Sequence, residues 1–508
     1  MLKKTTSLIT LIFASALSAC AIDINDFIKP ANPLEEKIPA VEVVEPSAPK
    51  KTSLTKNDIH NQYAIALNRY IQSNVRSSYR DFSILIENIT PSDYVYMHMA
   101  NEMANIGFFD LSELALSKIE DDNISYLLAE DIKNFYYPSS KLSKEDEIYL
   151  AEMYSNIIYN EQSKEVVAEL TKNETLLNKY DYANYIVAMG YFKLNDIDNA
   201  DKYINTAISK NPHNLNYKKL KTEILSQSKK PKDALKLVSS IKSQNMLTTE
   251  FSRKIKSIEE YTLYKTDKNE FEQKYHLAYY FYLEGELNKS MRTLQAAFNT
   301  KKSHNKKVYA LLAKVYYDSQ EYEKAEDNAT KATKIDKSNN MALIVLGDIA
   351  YRNKDYKTAS KYYQNARGNE ADIKLAKCYM MLDKTDKAKE ILAKILKNNS
   401  NECEAYYNMA LLDKSREVSY LKKSVAINYK FKDGWIDLAR CEIENNRLDD
   451  ANVYLTNARY IDENDFRYYY YRGLIYKNKG LTADAKRSFM KSVKLNPDFT
   501  PAKEELSI

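Results

Sequence analysis

One spacing limits what this chain can fold into more than any composition figure. A small residue follows another by twelve positions, and the pair keeps returning: Ala188 and Ala200, Ala278 and Ser290, Ala313 and Ala325, Gly347 and Ala359, Ala376 and Ala388, Ala439 and Ala451, Gly473 and Ala485. Successive units start near residues 181, 215, 271, 306, 340, 369, 403, 432 and 466, most of them 34 or 35 residues apart. A fixed period in this range marks a solenoid, in which no hairpin can bury its apolar face alone and each stacks on its neighbours. Small residues let two antiparallel helices approach at their crossing, and large ones such as Trp435 and Leu455 fill the space on either side. With only 8 Gly and 11 Pro in 508 residues, the chain lacks the turn residues of an all-β fold and the glycine loops of a doubly wound one. The expectation is all-α.

The units at 306–337 ("YALLAKVYYDSQEYEKAEDNATKA"), 432–463 and 466–497 show a large residue, Leu, Gly or Ala and Tyr, then Ala, a large residue, Ala and Pro. That pattern resembles the tetratricopeptide repeat, and the resemblance runs from about 180 to 499. It implies an α-solenoid of helix-turn-helix units whose first helices line a concave groove that takes protein partners. The units at 340 and 403 are each followed after only 29 residues, with Gly368 as a helix stop in the first. The second, "LLDKSREVSYLKKS", has no twelve-residue partner. Repeat-like units are expected over 144–241, an irregular charged connector over 242–270, the main array over 271–499 and a tail over 500–508. The stretch 57–143 reads as helical with degenerate repeats.

Near the end stand four consecutive tyrosines, Tyr468 to Tyr471. Successive helical residues lie about 100° apart, so the four cannot line one pocket. Tyr469, Gly473 and Tyr476 are expected to face the unit's own second helix, and Tyr468 and Ile475 the preceding unit. Tyr470, Leu474 and Lys477 form the stripe that lines the concave groove in the resembled family. The same stripe in other units gives Tyr185, Met189 and Phe192; Tyr275, Tyr279 and Tyr282; Tyr317; Tyr351; and Tyr407. Tyrosine offers area at low entropic cost together with a hydroxyl, which suits a binding surface for a helix or an extended peptide. The opposing reading is that the superhelix closes its own groove, or that the N-terminal helices fill it. The family's clamp of Lys and Asn on a C-terminal carboxylate is not reproduced here.

The N-terminus, "MLKKTTSLITLIFASALSAC", has a basic start, an apolar run and small residues before Cys20. This is the order of a signal peptide, and it resembles the lipobox of bacterial lipoproteins. The resemblance implies removal of residues 1–19, lipidation of Cys20, and a body held outside the cytoplasm by acyl chains. It favours the outer membrane in a Gram-negative envelope, since Ala21 rather than Asp follows the cysteine. Residues 20–56 carry five prolines and read as a disordered tether, spanning about 110 Å if fully polyproline-like.

Chemistry is sparse. The five histidines are scattered, and there is no HExxH, GxSxG, phosphate loop or GxGxxG. Cys378, Cys403 and Cys441 read as reduced and mostly buried, and His276 as a packing or surface residue. A net charge of +5 from 75 basic and 70 acidic residues, well interspersed, argues against nucleic acid. Neither cofactor nor metal is expected. The sequence thus points to a non-enzymatic, membrane-anchored extracytoplasmic scaffold or adaptor for protein partners in envelope or surface-structure assembly. The alternatives are a glycan or peptidoglycan binder and an enzyme of unfamiliar motif.

Overall fold

A computed structural model describes residues 56–88, 93–119, 129–130, 132–228, 230–242, 249–300 and 305–507. Cys20, the signal-like segment and nearly all of the proline-rich tether lie outside the described residues. The regular structure among the described residues is helical throughout. The N-terminal region contributes α1 (Lys56–Ile71), α2 (Val75–Asn88), α3 (Asp93–Asn105) and α4 (Phe109–Leu116). There follow α5 (Lys144–Tyr159), α6 (Ser163–Leu170), α7 (Glu174–Lys179), α8 (Asp181–Lys193), α9 (Ile197–Lys210), α10 (Leu215–Gln227), α11 (Pro231–Lys242) and α12 (Thr249–Thr266). The main array comprises α13 (Glu270–Leu283), α14 (Leu287–Thr300), α15 (Lys306–Asp318), α16 (Tyr322–Ile335), α17 (Asn340–Arg352), α18 (Tyr356–Asn365), α19 (Asn369–Met381), α20 (Thr385–Asn398), α21 (Cys403–Leu412), α22 (Glu417–Ile427), α23 (Lys432–Glu444), α24 (Leu448–Ile461), α25 (Phe466–Asn478), α26 (Thr482–Leu495) and α27 (Thr500–Ser507).

The twelve-residue step does what its chemistry demands. A Cβ at Gly473 would stand 2.4 Å from the Phe489 ring, and one at Gly347 would stand 2.4 Å from the Tyr363 ring. At the third kind of crossing Ser290 replaces alanine and donates 2.8 Å to the carbonyl of Ala278. Between the two small residues the hairpin turn needs one left-handed residue. It falls seven positions after the first: Asn195 (φ 60°), Gly285 (79°), Gln320 (63°), Lys354 (62°), Asp383 (57°), Asn446 (57°) and Gly480 (74°). The unit at 403 has no such residue in its hairpin, where Asp413 closes α21 at φ −128°. Its short helices, α21 and α22, thus join without the usual turn.

The same geometry appears in the N-terminal region. Ser78 donates to the Ala66 carbonyl and Ser112 to the Ala100 carbonyl, both at 2.7 Å and both over twelve residues. Ser73 (φ 61°) and Gly107 (φ 87°) occupy the left-handed position seven after Ala66 and Ala100. So α1–α2 and α3–α4 are hairpins of the same geometry, 34 residues apart as counted between those two alanines. The degeneracy read from sequence lies in their large residues, while the crossing is intact.

These hairpins also close the molecule on itself. The Tyr94 amide at the start of α3 donates 3.0 Å to Asn457 Oδ1 on α24, a partner 363 residues away. Tyr94 stacks on Tyr460 with ring centres 6.1 Å apart and tilts against Tyr429 at 5.7 Å. Residues 59–224 and 410–475 accordingly contribute to one continuous core. The contact is with α24, the second helix of its unit, so α3 does not lie along the first-helix stripe.

Candidate partner-binding groove

The first helices of the array are bridged along one wall. Lys307 reaches Glu272 at 2.9 Å, Lys374 reaches both oxygens of Asp348 at 2.7 Å, and Arg467 reaches Asp433 at 2.7 Å. Lys377 likewise pairs with Glu404, and Lys477 with Glu505 at 2.6 Å. Two of the stripe tyrosines belong to this ladder. Tyr282 donates 2.8 Å to Asp318, and Tyr407 donates 2.9 Å to Asp437, each in the following unit.

The ten residues of the predicted stripe therefore divide. Met189 and Phe192 are buried, 3% and 4% exposed, and belong to the core rather than to any open surface. Both belong to the continuous core that α8 shares with the elements packed around it. Tyr185 is stacked between Tyr182 and Tyr217, 6.0 and 4.9 Å between centres. Tyr470 packs its ring on Phe489 and Phe499 at the C-terminal end of the array, and Tyr407 packs on Phe431. Within the tyrosine run, the Gly473 contact with Phe489 and the burial of Tyr468 and Ile475 match the expected faces.

Four tyrosines remain, Tyr275 and Tyr279 on α13, Tyr317 on α15 and Tyr351 on α17. All four are half-buried, and none of their phenols has a hydrogen-bond partner among the described residues. Their rings are held from behind. Tyr275 and Tyr279 lie 6.1 Å apart, Tyr317 packs edge-on against Tyr322 at 5.5 Å, and Tyr351 against Tyr356 at 5.1 Å. Burial raises the phenol pKa at each of them, so they stay neutral donors at physiological pH.

One wall of the site comes from the connector, expected from the sequence only as an irregular charged segment. α12 docks on α13: Arg253 Nε donates 2.8 Å to the Leu283 carbonyl, and Ser257 bonds Glu284. Lys256 stands 5.6 Å from the centre of the Tyr279 ring and is paired with Glu259 and Glu260 at 2.7 and 2.8 Å. Glu260, only 3% exposed, meets His276 Nδ1 at 2.6 Å. His276 therefore joins the connector to the array. The signal was present in the sequence as acidic and basic residues three and four apart in "KSIEE", but nothing in it named His276 as the partner.

Cys378 and Cys441 are buried and Cys403 half-buried, and burial pushes each thiol up to about 12. They are held as thiols rather than thiolates at neutral pH. Among the described residues no group of three His, Cys, Asp or Glu is arranged to hold a metal ion. No helix among them is long and apolar enough to cross a membrane.

Family models described as tetratricopeptide repeat match residues 311–376, 350–412 and 466–499. No curated protein matches the chain. Among solved structures, the chain is similar to a tetratricopeptide repeat protein from Parabacteroides merdae, at 18% identity over 47% of this chain and 97% of that one, TM-score 0.37. It is also similar to the Cut9–Hcn1 complex of the APC/C (13%, 89% and 96%, TM-score 0.45) and to Pseudomonas aeruginosa pilF (17%, 47% and 96%, TM-score 0.30). Likenesses this distant speak to neither partner nor activity.

Proposed function

The chain is a tetratricopeptide-repeat protein, and from that premise we propose that it is a non-enzymatic adaptor that captures a protein partner against Tyr275, Tyr279, Tyr317 and Tyr351. The observation that carries this reading is the set of phenols without partners on three consecutive first helices. A half-buried ring offers apolar area, and a neutral hydroxyl beside it offers a donor and an acceptor, at little cost in side-chain entropy. Rings already fixed by Tyr322 and Tyr356 lose less freedom on binding than free ones. Lys256 and Lys307, standing over Tyr279 and Tyr275, add charge at the rim.

Anchoring belongs to the same proposal. Lipidation at Cys20, with the proline-rich segment as spacer, would hold this surface near a membrane outside the cytoplasm, where a captured protein is retained for assembly of envelope or surface structures. The lipobox-like sequence alone supports this part.

The test is an in-cell crosslink. A photo-reactive amino acid replaces Tyr279, with a control at the exposed Lys324 on α16. A discrete protein captured only from position 279 is the expected result. Crosslinks only back into the chain itself would overturn the groove reading. Palmitate labelling that persists in Cys20→Ala would overturn the anchor.

A further inference from the structure

Solenoids are springs, because each unit touches only its neighbours, and curvature follows from small rotations added along the stack. This one is not free to behave so. The first turn of α3 leaves backbone amides with no intrahelical acceptor, and one of them, that of Tyr94, is capped by Asn457 from α24. Tyr94 is 5% exposed and Asn457 fully buried. The Tyr94 ring lies on Tyr460, and the His98 ring tilts against Tyr429 at 6.3 Å. Tyr429 in turn accepts from Trp435 Nε1 at 2.8 Å, which ties the contact to the core of the unit at 432. The described helices between α3 and α24, including α13, α15 and α17, thereby lie between two elements that meet.

The contact combines apolar core residues and aromatic rings with buried polar groups. Asp93 and Asn457 are buried polar residues within it, at 3% and 0% exposure. Interfaces within a chain that bury polar groups and a few aromatic rings resemble transient ones, unlike the apolar crossings inside each hairpin. We propose that the α3–α24 contact is a latch that sets the curvature of the whole array, so that releasing it changes the spacing of first helices far from the contact itself. The proposal stands on the closure and does not require that the tyrosine groove bind anything.

The experiment uses the full chain with its cysteines replaced by alanine and, so that introduced thiols stay free for joining, oxime-linked spin labels on p-acetylphenylalanine in two pairs. Arg80 on α2 with Asp449 on α24 reads the latch, and Asn288 on α14 with Lys387 on α20 reads the array; all four positions are exposed. Tyr94→Ala with Tyr460→Ala is the release variant. The expected result is that both distances shift and the radius of gyration rises, with helicity unchanged. A second variant, Tyr94→Cys with Tyr460→Cys, is joined by a short bis-maleimide, and joining restores both distances. A change in the first distance with none in the second would overturn the proposal, leaving the contact as local docking. So would no change in either distance. Should the release variant lose helicity, the joined chain is compared with the native one: a narrower Asn288–Lys387 distribution supports the latch, and an identical one overturns it.

Discussion

The phenol of Tyr282 donates 2.8 Å to the carboxylate of Asp318 in the next repeat, and this one bond separates it from Tyr279, one turn earlier on the same helix. Tyr282→Phe removes a hydrogen bond between repeats and is expected to cost about 0.5–1.5 kcal/mol, read as a lower urea midpoint, while partner capture persists. Tyr279→Phe is expected to leave the midpoint within about 0.5 kcal/mol and to weaken capture. The opposite assignment of effects would show that the division of the stripe is wrong.

Glu147, at the start of α5, is buried, and among the described residues its carboxyl accepts the Asp110 amide alone, at 3.1 and 3.2 Å. Burial, with the Asp110 charge added, raises its pKa from 4.5 to about 8. The folded state then holds a proton that the unfolded state releases, so stability falls as pH rises from about 4.5 to about 8. A loss on the order of 4–5 kcal/mol across that window is expected. Glu147→Gln keeps the shape and the acceptor while removing the titration, and its urea midpoint is expected to change less between pH 5.5 and 8.

Asp465 behaves in the opposite sense. Burial would raise its pKa, but bonds from Arg467 and Lys432 outweigh that and hold it at about 2. Its contribution is present above about 3.8 and is lost as pH falls towards 2. Asp465→Asn is expected to lower stability at pH 6 and to narrow the gap from the native chain at pH 2, as followed by circular dichroism.

Gly473→Ala places a methyl 2.4 Å from the ring of Phe489, which is itself 2% exposed and has nowhere to move. A loss of about 1–3 kcal/mol is expected. Phe489→Leu in the same chain should recover part of it, whereas independent effects would simply add.

Lys354 holds φ 62° at a hairpin turn where other units use Gly285 and Gly480. The side chain is exposed. Lys354→Gly removes a left-handed strain of about 1 kcal/mol and, after the entropy of the added glycine, should leave the chain as stable or slightly more so in thermal melts.

How much of this was legible depended on distance along the chain. The hairpin crossings could be read from Gly473 and Ala485 because both partners lie within one unit. The hairpins at Ala66 and Ala100 carry the same step, with Ser78 and Ser112 in second place as Ser290 is in the array, but the large residues around them do not follow the array's pattern. The tyrosine stripe was visible as a periodicity, yet the difference between Tyr279 and Tyr282 hangs on a carboxylate 36 residues beyond Tyr282. The pairing of Tyr94 with Asn457 was beyond reach, since no local pattern relates residues on opposite sides of a superhelical turn.

That pairing also imposes an order in time. Tyr94 and Asn457 close a loop of 363 residues, whereas the crossing inside a hairpin closes one of twelve, so the α3–α24 contact is the one whose closure costs the most chain entropy. Hairpins can form and stack before it does, and through that time the face of α3 that meets α24 stands uncovered. The folding chain therefore carries an aromatic patch of limited lifetime, and its disappearance marks the closing of the array.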